Sequence, residues 1–221
     1  MAPLDTNFLI ISLRIVAIIF GFVIGFIMIK KVRKIELKVA KRYFTGAMLF
    51  FFVYSICRTI FLIADFIPDP MGFSYYVGNT LGLVSIVIII EAIEATIVRK
   101  TMHLLTIYGC IGIGVMIFDN FARWNIFGYN LITLAQYSCM IPLGLVILLI
   151  YLRVTLKSTG YVRKSAAIMF LGILLLMLSE MGNTGDAVRL VGESIYYISP
   201  IILVVSLILL YYSITHMYAT D

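Results

Sequence analysis

Two carboxylates, Glu91 and Glu94, stand three residues apart inside Ser85 to Lys100, a run apolar enough to lie in a bilayer. A charge in hydrocarbon costs several kcal/mol on insertion scales, so such an acid faces protein and has a partner or a purpose. Three apart on a helix, the two are neighbours. Without cationic partners they form a candidate proton or ion site. In the alternative arrangement Glu94 reaches towards Arg99 and only Glu91 is deeply buried.

A second set of charges lies towards the other membrane face. Arg14 sits six residues into the first apolar span, about 9 Å below its outer end at a rise of about 1.5 Å per residue. Arg58 and Glu180 each lie fifteen residues in from the cytoplasmic ends of their spans, at similar depth. These three are expected to form a buried charge cluster with Arg58 and Glu180 as the direct pair. Tyr54, Ser55, Arg58 and Asp65 share a helical face, and Gln136, Tyr137, Tyr196, Tyr197 and Ser199 enter from the same side as hydrogen-bonding groups. Pro142 and Pro200 are placed to kink their helices and free backbone carbonyls. The arrangement fits either a ligand-binding cavity or a polar network that joins helices.

The elements that carry these residues follow from composition. With 221 residues, 62% hydrophobic content, 13% charged residues and mean hydropathy of +1.09, the chain is outside the range of soluble domains. It reads as an all-α, polytopic integral membrane protein, a single domain over 1–221 located in the cell membrane. About 20 apolar residues cross roughly 30 Å of hydrocarbon, and seven spans are expected: 8–29, 43–64, 76–98, 102–118, 131–152, 165–181 and 195–215. The fourth is the shortest. Gly21, Gly25, Gly109, Gly112 and Gly114 permit close helix approach. In the third span Ile86, Ile89, Ile90, Ile93 and Ile97 fall on one arc, expected to face lipid. Spans one to three and five to seven run in the same order, and an offset of 122 residues aligns Lys41 and Arg42 with Arg163 and Lys164, and Arg58 with Glu180.

Lys and Arg set the orientation. They gather between spans one and two (Lys30 to Arg42), at Arg99 and Lys100, and between spans five and six (Arg153, Lys157, Arg163, Lys164). Those connections are expected in the cytoplasm, with the N-terminus outside and the C-terminus inside. The Lys30 to Arg42 segment could form a short helix along the membrane surface. The opposite connections carry Asp65, Asp69, Asp119, Asp186 and Glu193 with only Arg123 and Arg189, and the interfacial aromatics Tyr75, Tyr76, Trp124 and Tyr129. The first residues lack a basic n-region and a small-residue cleavage pattern, so the first span is expected to remain as a helix.

Several function classes are disfavoured. The +6 net charge is explained by topology and anionic lipid headgroups, which argues against nucleic acid. Cys57, Cys110 and Cys139 lie in apolar spans without paired spacing, and His103 and His216 lack metal-ligand spacing, so no metal site or disulfide framework is expected. No phosphate loop or nucleophile–base pattern points to an enzyme or a bound cofactor.

Seven spans in this orientation resemble microbial rhodopsins and the seven-helix sensor modules of prokaryotic receptors. The last lysine, Lys164, precedes the sixth span, so the retinal lysine of rhodopsins has no counterpart. Sugar carriers of three-plus-one-plus-three design resemble the outline too, without their proline-glutamine signature. The leading expectation is a receptor-like sensor that binds a small polar or anionic ligand around Arg14, Arg58, Gln136, Tyr137, Glu180 and Tyr196, and signals to a cytoplasmic protein partner. The alternatives are an ion- or proton-coupled transporter or channel that uses Glu91 and Glu94, and a non-catalytic subunit bound to other membrane proteins. Membrane lipids are partners in every case.

Overall fold

The computed structural model describes residues 4–64, 66, 72–98, 101–122, 125–126, 129–182, 192 and 194–217. They form seven helices: α1 Leu4–Lys34, α2 Lys38–Ala64, α3 Phe73–Thr96, α4 Leu104–Ala122, α5 Leu131–Lys157, α6 Gly160–Gly182 and α7 Ile195–Met217. A two-residue antiparallel ladder, β1 Asn125–Ile126 against β2 Tyr129–Asn130, precedes α5. Asp65, Asp69, Arg99, Lys100, Arg123, Trp124, Asp186, Arg189 and Glu193, on which part of the expected orientation rests, lie outside the described residues.

Six helices, all but α4, are long and apolar enough to cross a membrane. On five of them, α1, α2, α5, α6 and α7, apolar side chains face outward: Phe8, Phe26, Ile63, Leu149, Leu171 and Ile208 are all exposed. A water-facing helix carries charge on that side, so the chain has the surface of a multi-pass membrane protein. In α4 the apolar run is Leu104–Asp119, shorter than the others. The basic segment is shared between two long helices, since α1 continues to Lys34 and α2 begins at Lys38.

The chain groups into two compact units, one of Gly21–Leu145 and one of Met1–Phe20 with Val146–Asp221. In the first, α2 and α3 form an antiparallel pair and α4 packs on α3. A methyl group at Gly46 of α2 would overlap the Ala92 methyl of α3, so glycine is what lets these backbones approach. Helix α3, covered by both neighbours, has no lipid arc of the expected kind: Ile90 and Ile93 are each 1% exposed. The error has a physical source. Apolar residues ring α3 on every side, so an isoleucine arc carries no information about which side is covered. Gly112 meets Cys139 and Leu83 closely, whereas Gly114 has open space around it.

Within the Val146–Asp221 part, α6 and α7 pair through two heptad series of small residues, Ser165, Gly172, Ser179 and Ser199, Ser206, Ser213. Ser165 and Ser213 each donate to the other's carbonyl, at 2.9 and 2.8 Å. Ser179 and Ser199 do the same at 2.8 Å each, and Ser206 donates to the Gly172 carbonyl at 2.9 Å. A seven-residue period keeps one seam facing its partner, and every seam hydroxyl has an acceptor.

The two hairpins share a register. Helices α2 and α6 start at Lys38 and Gly160, α3 and α7 at Phe73 and Ile195, both offset by 122 residues. At the same offset Cys57 corresponds to Ser179. Cys57 donates to the Gly78 carbonyl at 3.1 Å, as Ser179 does to that of Ser199, in both cases early in the following helix.

Candidate functional site

Along α2, Lys38, Lys41, Arg42, Thr45, Gly46 and Leu49 recur at the three- and four-residue steps of a single helix face. With Val87, Ile88 and Glu91 of α3 and Thr106 of α4 they line an open cavity of about 550 Å³. Arg42 and Glu91 form an ion pair across its mouth, Arg42 Nη2 donating to Glu91 Oε1. The side chains are 53% and 34% exposed. Three cations and one carboxylate therefore line the cavity, and Glu91 has a cationic partner.

Glu94 behaves differently although it lies one turn away. Its side chain is buried, at 2% exposure, and its carboxylate accepts from the backbone N–H of Leu105 at 3.1 Å and of Thr106 at 2.8 Å, and from the Thr106 hydroxyl. These N–H groups belong to the first turn of α4, which has no intrahelical acceptors for them. A carboxylate there also meets the positive end of the helix dipole. The chain turns back sharply enough for this because Met102 and His103 adopt φ of 49° and 61°, left-handed conformations that cost side-chain-bearing residues about 1–2 kcal/mol each. Thr106 both lines the cavity and holds Glu94.

Asp119 repeats the device at the other end of α4. Expected in a connection, it lies in the last helical turns, is fully buried, and accepts from the Ile132 N–H in the first turn of α5 at 3.0 Å. Further along α5, Gln136–Met140 form a π turn. Pro142 has no N–H to offer the Ser138 carbonyl four residues back, and the Tyr108 hydroxyl donates to that carbonyl.

The remaining predicted residues are distributed over both units. Arg58, Gln136 and Tyr137 belong to Gly21–Leu145; Arg14, Glu180 and Tyr196 belong to the other unit. Arg58 Nε donates to the Tyr54 hydroxyl at 3.1 Å, and its guanidinium lies 5.5 Å from the centroid of that ring. Gln136 and Tyr137 sit on the π turn, Gln136 half-buried and Tyr137 exposed. Arg14, Glu180 and Tyr196 are half-buried. Glu91 and Glu94 share α3 but have separate partners on α2 and α4.

Lys38, Lys41, Arg42, Thr45 and Thr106 are the residues that sequence reasoning missed. The signal was available, since Lys38, Lys41 and Arg42 fall on one helix face, but basic residues beside a span also have a sufficient explanation in topology. Among the described residues no group of three His, Cys, Asp or Glu side chains is placed to hold a metal ion. No protein-family model, no characterised protein and no solved structure matches the chain.

Proposed function

We propose that the chain is a non-enzymatic, seven-helix receptor-like membrane module that takes an anionic ligand in the groove between α2 and α3. On this reading α4 is the seventh crossing: its 19 residues extend about 28 Å at a rise of about 1.5 Å each. The carboxylate caps at its two ends support that reading, because they tie α4 to the end of α3 and the start of α5. On this reading the Lys and Arg distribution favours an N-terminus outside, a C-terminus in the cytoplasm and a groove at the cytoplasmic face of the cell membrane.

The observation that carries the proposal is the partly exposed Arg42–Glu91 pair at the mouth of a cavity with a surplus of positive charge. Glu91 occupies the place an incoming anion would take. At the 122-residue offset Glu91 corresponds to Ser213, which closes the α6–α7 hairpin with Ser165 and without charge. A hairpin of this kind needs no ion pair to close, which leaves the charges of α2 and α3 for a ligand. Ligand entry would release Glu91 beside Thr106, and Thr106 in turn holds the cap of α4. On this reading a cytoplasmic protein would read the change.

Pyrophosphate titration of the detergent-purified protein tests this. A ligand at a hundredfold excess over its Kd stabilises the folded state by about 2.7 kcal/mol, so the unfolding temperature should rise saturably. Arg42→Gln combined with Lys41→Gln should abolish the rise; an unchanged rise in that variant, or none in the native protein, would sink the proposal. The shared 122-residue register favours a second reading, a carrier built from parallel repeats. Solute or proton flux in reconstituted vesicles that is lost in Glu91→Gln would favour the carrier.

A further inference from the structure

We infer that the occupant of this groove is the phosphate headgroup of an anionic phospholipid, with the start of an acyl chain lying on the groove floor. The inference rests on reading the groove as an anion site and names the class of anion. Its basis is the order of the lining residues along α2. Lys38, Lys41 and Arg42 come first, Thr45 and Gly46 one turn later, and Leu49, which is 41% exposed, a turn beyond those. From Lys38 to Leu49 the helix rises about 16 Å, the dimension of a headgroup and the first part of a chain rather than of a bare phosphate.

On the opposite wall the same gradient runs in parallel, because α3 is antiparallel to α2. Glu91 stands beside Arg42, and Val87 and Ile88 lie deeper. The floor offers no unused donor: the Thr45 hydroxyl is hydrogen-bonded to the Lys41 carbonyl at 2.8 Å, and Gly46, Leu49, Val87 and Ile88 carry none. A soluble phosphate would satisfy the rim and leave this floor bare. A phospholipid satisfies both, since its phosphate meets Lys38, Lys41 and Arg42 and its first methylenes cover Leu49 and Ile88. The wide opening of the groove suits a molecule that slides in from the surrounding leaflet, and the cytoplasmic leaflet is the one that holds anionic lipid. Charge complementarity selects the headgroup further. A zwitterionic choline lipid would bring its own cation to a rim that already has a surplus of them.

The test compares phosphatidic acid, phosphatidylcholine of the same chains, and glycerol 3-phosphate as the headgroup without chains. Binding to the purified full chain is read by native mass spectrometry and by the unfolding temperature. Phosphatidic acid should bind more than about tenfold tighter than glycerol 3-phosphate, an increment that burying about two methylene groups supplies, and phosphatidylcholine should compete poorly. Leu49→Gln should weaken phosphatidic acid binding about tenfold more than glycerol 3-phosphate binding, and Arg42→Gln should weaken both. Leu49→Ala serves the same purpose if the glutamine variant does not fold. Equal affinity for glycerol 3-phosphate and phosphatidic acid overturns the lipid assignment while the anion site stands. Equal affinity for phosphatidic acid and phosphatidylcholine, with no glycerol 3-phosphate binding, overturns the lipid assignment and the anion site together.

Discussion

Replacing Glu94 by alanine should destabilise the protein more than the same change at the half-exposed Glu91, its neighbour on α3. Three donors lose their acceptor at once: the N–H groups of Leu105 and Thr106, at 3.1 and 2.8 Å, and the Thr106 hydroxyl. The site is 2% exposed, so water does not readily replace the carboxylate. Loss of a helix cap costs about 1 kcal/mol, loss of a favourable charge at a helix N-terminus up to about 1 more, and each donor left buried without a partner adds about 1 or more. The cap and the two backbone donors are the same hydrogen bonds, so counting each donor once and adding the charge gives an expected loss for Glu94→Ala of about 3–4 kcal/mol. Glu94→Gln keeps one acceptor oxygen and the side-chain volume, and should lose about half as much. Unfolding in detergent gives the stability, and hydrogen exchange at Leu105 and Thr106 reports the local effect. A Glu94→Ala protein as stable as the native one, with unchanged exchange at those amides, would refute the capping role. Thr106→Val supplies a check, since two residues sharing hydrogen bonds should give a double variant less destabilised than the sum of the singles.

Two further outcomes follow from the same geometry. Ser206→Ala removes the hydrogen bond to the Gly172 carbonyl and should cost about 0.6 kcal/mol, the average for a polar contact between membrane helices, whereas Ser206→Leu forces the buried seam apart and should cost about 1–3 kcal/mol; equal losses in the two unfolding curves would show that the seam is not closely packed. His103→Gly relieves a left-handed residue at φ 61° and should raise stability by up to about 1 kcal/mol, so a lower unfolding temperature in that variant would contradict the backbone assignment.

The membrane character was legible in the sequence because it depends only on summed hydropathy, and six of the helices follow from that sum. Side-chain direction was not legible where a helix is apolar all round. Ile90 and Ile93 of α3 lie against protein, and nothing in their spacing distinguishes them from lipid-facing isoleucines. The partners of the two acids were hidden for different reasons. Arg42 is 49 residues from Glu91, in a basic segment whose topological role already explained it. Glu94 meets the start of α4 only because Met102 and His103 take a backbone conformation that their residue types do not announce. The α6–α7 seam was readable, since Ser199, Ser206 and Ser213 recur at seven-residue steps, a period that specifies one continuous face.

The Arg42–Glu91 pair is the centre of the functional account, and its coupling energy tests that account most directly. Both side chains are substantially exposed, at 53% and 34%, so the pair should contribute only about 0.5 kcal/mol after solvent screening. A double-mutant cycle of Arg42→Gln and Glu91→Gln, read by unfolding free energy at low salt, measures it. Repeating the cycle at saturating pyrophosphate asks whether the ligand takes the place of Glu91. The account predicts favourable coupling without the anion and none, or a reversed sign, with it; coupling of the same size in both conditions would contradict it.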